Sequence, residues 1–88
     1  MSFTVCYLES VIQKDIPCLA TSAKALIKRA IEERLTQDPI SYGKPLRYGL
    51  YGQRRLRVSD YRIIYTVDYD NRIVTITAIG HRSKIYDD

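Results

Sequence analysis

The sequence predicts an α+β domain of element order β-α-α-β-β-β, with two helices packed on one face of a small, twisted, mainly antiparallel sheet. Three observations carry this. Between Ser22 and Thr36 the apolar residues Ala23, Leu26, Ile27, Ala30, Ile31 and Leu35 recur at three- and four-residue steps, with charged residues in most other positions, which is the pattern of a helix with one buried stripe. Three β-forming stretches, "LYGQRRLRV", "YRIIYTVDY" and "RIVTITAI", then come one after another with only Ser59-Asp60 and Asp70-Asn71 between them. The opening "SFTVCYL" adds a further strand signal ahead of the helices.

Taken in order, Ser2 to Leu8 is a strand, and a short helical stretch from about Ser10 is interrupted or ended by Pro17. Thr21 or Ser22 can cap the second helix, and Pro39 stops the chain from continuing it. "DPISYGKPLRYG" holds two prolines and two glycines and reads as the one long loop. Leu50–Val58, Tyr61–Tyr69 and Arg72–Ile79 form a three-stranded meander. Two-residue alternation puts Tyr61, Ile63, Tyr65 and Val67 on one face of the middle strand, joined by Leu56 and Val58 from its neighbour. That face should receive Leu26, Ile27, Ile31 and Leu35 of the helix. Gln53, Arg55 and Arg57 then share the opposite, open face with Arg62.

The 88 residues fit a single domain spanning 1–88, with a modest core and a shallow surface site in place of a deep cofactor cavity, so no cofactor is expected. Apolar residues make up 45% of the chain, yet no uninterrupted apolar run approaches the roughly 20 residues of a membrane span. The N-terminus lacks a basic region and a small-residue cleavage site, and a cytoplasmic location is expected. Cys6 and Cys18 show no CxxC spacing, and His81 is the one further soft ligand; buried free thiols are expected, and no metal site.

The formal charge is +4, and its distribution says more than its size. From Lys44 to Arg62 there are six basic side chains and one acid, Asp60. Like charges on one sheet face repel, and arginine, planar and permanently charged, is suited to phosphate. Seven of the eight tyrosines lie at or beyond Tyr42, so bases could stack beside phosphate contacts. The chain then closes on "IGHRSKIYDD", which gathers the only histidine, an arginine and a tyrosine behind Gly80. Gly80 would give the backbone its freedom to turn there.

"YGQRRLRVSDYRIIYTV" followed by "AIGHRSKIYDD" resembles the C-terminal half of RelE-type toxins of the RelE/ParE toxin-antitoxin superfamily, and the order of elements matches over essentially the whole chain. The resemblance implies the toxin of a type II toxin-antitoxin module, a metal-independent mRNA endoribonuclease that acts in the ribosomal A site. It also implies a cognate antitoxin, with an acidic or amphipathic segment that wraps the domain, and the ribosome as partners. Arg62 matches the family arginine at the scissile phosphate, Arg82 the one near the leaving group, and Tyr86 the terminal tyrosine that orders the substrate. Arg55 and Arg57 match basic positions on the preceding strand, and Gln53 and Arg54 complete the candidate RNA-contacting set. Gln53 and Arg55 stand where the best-known members have lysines, and neither glutamine nor arginine can act as a base. His81, whose side-chain type titrates near neutrality, is therefore the candidate acid or base. Two other functions remain open: a ParE-like inhibitor of DNA gyrase, and a non-catalytic nucleic-acid-binding module on the same basic face.

Overall fold

A computed structural model describes residues 2–46 and 52–85. Leu50, at the start of one expected strand, and Tyr86 lie outside the described residues. A five-stranded sheet runs in the order β1-β5-β4-β3-β2, with β1 Thr4–Tyr7, β2 Lys44–Pro45, β3 Arg54–Val58, β4 Tyr61–Asp68 and β5 Ile73–His81. β1 lies parallel to β5, and every other neighbouring pair is antiparallel. The helical layer covers one face: a single wide turn at Val11–Asp15, helix α1 at Thr21–Ala30 running directly into a second wide turn at Ile31–Leu35, and the short helix α2 at Pro39–Tyr42. Both wide turns are closed by bonds between residues five apart, Ile16 N–H to the Val11 carbonyl at 2.9 Å and Thr36 N–H to the Ile31 carbonyl at 3.2 Å. No helix among the described residues is long and apolar enough to cross a membrane.

The core forms where the apolar stripe of the helix meets the strand face selected by alternation. Ile27, Ala30, Ile31 and Leu35 pack with Leu56, Val58, Ile63, Tyr65, Val74, Ile76 and Ile79. Leu26 does not join them and is 43% exposed. It sits roughly 100° around the helix from Ile27, at the margin of the stripe, where an apolar residue at the right spacing still misses the sheet. The helix begins one residue early, with Ala20 and not Thr21 or Ser22 at the cap, and no side chain caps it.

The segment read as one long loop contains two elements. Asp38 accepts from the Ser41 N–H at 3.1 Å and Pro39 takes the first helical position, so α2 starts on a proline read in the sequence only as a stop signal. Lys44 and Pro45 then pair with Arg55 and Arg54 as the edge strand β2. Both cysteines are free and exposed, contrary to expectation: Cys6 lies on the edge strand β1 and Cys18 in the turn after Pro17.

Strand β5 is irregular at a single position. Ile64 pairs with Ala78 but Tyr65 pairs with Ile76, so Thr77 is an extra residue bulged out of β5. Unbroken alternation from the buried Ile76 would put Ile79 and His81 on the open face. The bulge reverses the parity, so that Ile79 enters the core and Gly80 comes opposite Arg62.

Candidate nucleic-acid interface

The open face of β3 and β4 carries the arginines that alternation placed there. Arg57 stands directly across from Arg62, and Arg55 across from Ile64. Arg62 is 7% exposed and Arg55 9%, while Arg57 is exposed. The Arg62 guanidinium is anchored through Nη1, which donates to the Ser59 carbonyl at 3.1 Å and the Tyr61 carbonyl at 2.9 Å. Ser59 has φ 55°, so the tight Ser59-Asp60 turn directs its carbonyl toward that guanidinium at the cost of a left-handed residue. Arg82 is tied to the same turn: its N–H donates to the Asp60 carbonyl at 2.8 Å, and its Nε lies 3.9 Å from Asp60 Oδ1. The two arginines of the expected centre thus converge on one hairpin. Both members of the Arg82–Asp60 pair are mostly exposed, so the ion pair contributes little by itself.

Beside the arginines runs a trough of about 490 Å³ floored by Ile64, Thr77 and Ala78 and bounded by Gln53 and Ile85. Gln53 Oε1 accepts from the Thr77 hydroxyl at 2.9 Å, which fixes the glutamine amide against the bulge. Thr77 is therefore a site-shaping residue that two-residue alternation gave no reason to single out. Gly80 differs in role from the expectation. It lies within β5, and a Cβ there would come within 3.0 Å of Ile85, so the missing side chain makes room for the returning tail. The turn itself is made beyond it, where the His81 carbonyl accepts from the Lys84 and Ile85 N–H groups.

Two candidates are not brought to this face. Arg54 lies on the helix side, where its Nη2 donates to the carbonyls of Ile40 at 2.7 Å and Gly43 at 2.9 Å, so it clasps α2 to the sheet. Tyr65, at the bottom of the same cluster, donates to the Pro39 carbonyl at 2.6 Å, and burial raises its phenol pKa against the opposing pull of Arg54. His81 is opposite Tyr61, and the two rings meet edge to face at 5.6 Å. Its Nδ1 accepts from the Ser83 N–H at 3.1 Å and lies 2.9 Å from the Ser83 hydroxyl oxygen. It borders a cavity of about 440 Å³ lined by Lys14, Asp15 and Cys18 from the helical layer and by Ala78, Gly80 and Ile85, and the register sets His81 itself on the core side of β5, opposite Tyr61 and not Arg62. Among the described residues no three His, Cys, Asp or Glu side chains are grouped to hold a metal.

A small mixed sheet, helices on one face and a basic opposite face define a class that comparison identifies. Residues 10–86 match the family described as ParE toxin of type II toxin-antitoxin system, parDE, and the chain belongs to this family. Within the RelE/ParE superfamily it is a RelE-type toxin. Toxin RelG of Mycobacterium tuberculosis is 30% identical over 98% of each chain, and toxin RelE of the same organism is 40% identical over 83% of this chain and 75% of that one. Among solved structures, the RelBE2 toxin-antitoxin complex of M. tuberculosis contains a chain that matches with a TM-score of 0.87 at 28% identity, covering 93% of this chain and all of that one. The archaeal RelE-RelB complex of Pyrococcus horikoshii matches in fold, with a TM-score of 0.74 at 19% identity over 97% of this chain and 100% of that one.

Proposed function

We propose that this toxin is a ribosome-dependent endoribonuclease that cuts mRNA in the A site, and that the arginine face is where it holds the scissile phosphate. The observation that carries the reading is the Arg57–Arg62 pair, two like charges directly across from one another, with Arg55 alongside and Arg82 drawn to the same hairpin. Planar guanidinium groups side by side offer several N–H donors in a geometry matched to the oxygens of one phosphate.

RNA brings its own nucleophile. The 2'-oxygen attacks the adjacent phosphorus, the bond to the 5'-oxygen breaks, and a cyclic phosphate and a 5'-hydroxyl result. The reaction needs alignment, stabilisation of the extra negative charge, removal of the 2'-proton and delivery of a proton to the leaving oxygen. Arg62, held by two carbonyls, is preorganised for the second task, and Arg55 and Arg57 align the strand. Arg82, which the family resemblance assigns to the leaving group, is tied to the Asp60 turn beside Arg62 and serves the departing oxygen in this reading. The described side chains of this face include none that titrates near neutrality, and His81 is across the sheet. Proton transfer therefore falls to solvent, to ribosomal groups or to Tyr86, whose substrate-ordering role rests on the family resemblance.

The same reading makes the cytoplasm the site of action and requires neutralisation by a cognate antitoxin, in keeping with the complexes formed by the RelE relatives. The family description also keeps a ParE-like action on DNA gyrase as the second reading. Expression in cells followed by mapping of RNA 5' ends separates them. Codon-phased cuts in translated mRNA support cleavage; gyrase-linked DNA breaks without such cuts support the second reading; neither would leave a non-catalytic binding module.

A further inference from the structure

The Thr77 bulge that sets the facing of β5 is held from two sides. On one, the Thr77 hydroxyl lies 2.9 Å from Gln53 Oε1 and 3.2 Å from the Ile64 carbonyl oxygen. On the other, the pairing of β1 with β5 ends at Tyr7 opposite Ile76, and the Leu8 N–H donates to the Ile76 carbonyl at 3.1 Å. The chain then enters the helical layer: the Leu8 carbonyl accepts from the Val11 and Ile12 N–H groups, and the wide turn Val11–Asp15 follows. Asp15, the last residue of that turn, reaches back past the bulge, and its Oδ2 accepts from the Ile79 N–H at 2.9 Å. Residues 8–15 thus grip β5 just before and just after the extra residue.

The Asp15 bond distinguishes the bulged register from a regular one. With the bulge, Gly80 is opposite Arg62 and the Arg82 N–H donates to the Asp60 carbonyl, so Gly80 and Arg82 turn their backbone groups toward β4 and Ile79 turns its N–H away from it. Ile79 is 4% exposed, so that N–H needs a partner within the protein, and Asp15 provides it. Without the bulge the pairing would slip by one residue, and the Ile79 N–H would point at β4. Asp15 would then lose its donor, and His81 would come opposite Asp60 in place of Arg82. Arg82 lies one residue past the end of β5, and its described ties there are one backbone bond and an exposed ion pair at 3.9 Å. Its place is therefore set upstream, by the register.

We propose that Asp15 is a positioning residue of the arginine site: it holds β5 in the bulged register and so delivers Arg82 to the Asp60 turn beside Arg62. The proposal rests on the reading that Arg62 and Arg82 serve phosphate cleavage. Asp15 belongs to the helical layer and acts through the β5 backbone, without touching the substrate.

The test combines single-turnover cleavage on programmed ribosomes with ribosome binding and with amide hydrogen exchange of the free toxin. Asp15→Ala should slow cleavage roughly 10- to 100-fold, the scale of a misplacement of about 1 Å, while ribosome binding stays within about 3-fold of the parent. Asp15→Asn keeps an oxygen acceptor for the Ile79 N–H and should restore the rate. In an Arg82→Ala background Asp15→Ala should add no further loss, because its effect passes through Arg82. In the exchange arm, Asp15→Ala should cost the Arg82 amide roughly tenfold or more of its protection, while the Val74 amide, on β5 before the bulge, keeps its own. Cleavage by Asp15→Ala at the parent rate overturns the proposal, and so do losses that multiply in the double variant. A loss of protection shared equally by Val74 overturns it as well, since Asp15 would then support general stability alone. Should the parent not cleave, or Arg82→Ala cleave as the parent does, the nuclease role of Arg82 fails and the exchange arm decides by itself: selective loss at Arg82 keeps Asp15 as the residue that sets the register, and unchanged protection removes it.

Discussion

Gly43→Ala should destabilise the protein severely although it adds a single methyl group. Gly43 has φ −105° and ψ 172°, a conformation open to any residue, so its glycine is a matter of space. A Cβ there would overlap the Tyr65 hydroxyl and come within 2.8 Å of Tyr65 Cζ and 3.0 Å of the Arg55 carbonyl. Tyr65 cannot swing aside, because it is fully buried and its hydroxyl is bonded to the Pro39 carbonyl at 2.6 Å. Overpacking costs about 1–3 kcal/mol and the displaced hydrogen bond about 0.5–1.5 kcal/mol, together about 2–4 kcal/mol. For an 88-residue domain, with a total stability of about 4–13 kcal/mol, that corresponds to a fall in Tm of roughly 10–30 °C. Thermal unfolding followed by circular dichroism would read it. A second arm isolates the cause: in a Tyr65→Phe background the oxygen is gone but Cζ remains, so Gly43→Ala should cost less there, though still something. A Tm within error of the parent, or costs that simply add in the double variant, would refute the close-packing argument.

Other consequences are as direct. Leu35→Ala, in the fully buried core, should cost about 2–5 kcal/mol, whereas Leu26→Ala should stay within about 0.5 kcal/mol; comparison of their urea midpoints checks the helix facing. His81→Gln should cleave ribosome-bound mRNA at the parent rate with an unchanged pH profile, and a loss of 100-fold or more would return the imidazole to the chemistry despite its position across the sheet. Because burial raises the Tyr65 pKa above 10.0, its contribution to stability is fully present below pH 10 and is lost as pH rises through the folded value. Urea midpoints taken between about pH 9 and pH 11 should therefore fall more steeply for the parent than for Tyr65→Phe, and parallel curves would contradict this.

Much of the fold and of the arginine face was legible in the sequence because the relevant signals were local and periodic. The Ser59-Asp60 hairpin, the meander and the faces of β3 and β4 come from two-residue alternation, and with them the grouping of Arg55, Arg57 and Arg62. What escaped depended on single residues whose effect is not local. The extra residue at Thr77 reverses the facing of everything after it in β5, and so carries His81 away from the arginines. Arg54 has the same composition signal as Arg55, but its parity sends it to the helix side, where the Ile40 and Gly43 carbonyls accept from its Nη2. The Asp38-Pro39 start of α2 carried a readable cap, obscured by a proline that marks both the end of one helix and the first turn of the next.

The measurement closest to the central claim is single-turnover cleavage of mRNA on programmed ribosomes by Arg62→Ala, with ribosome binding measured in parallel. If the guanidinium anchored on the Ser59-Asp60 turn stabilises the transition state, the rate should fall by roughly 10² or more while binding changes much less. Cleavage at the parent rate, or a loss of binding as large as the loss of rate, would contradict the assignment of the arginine face as the site of chemistry.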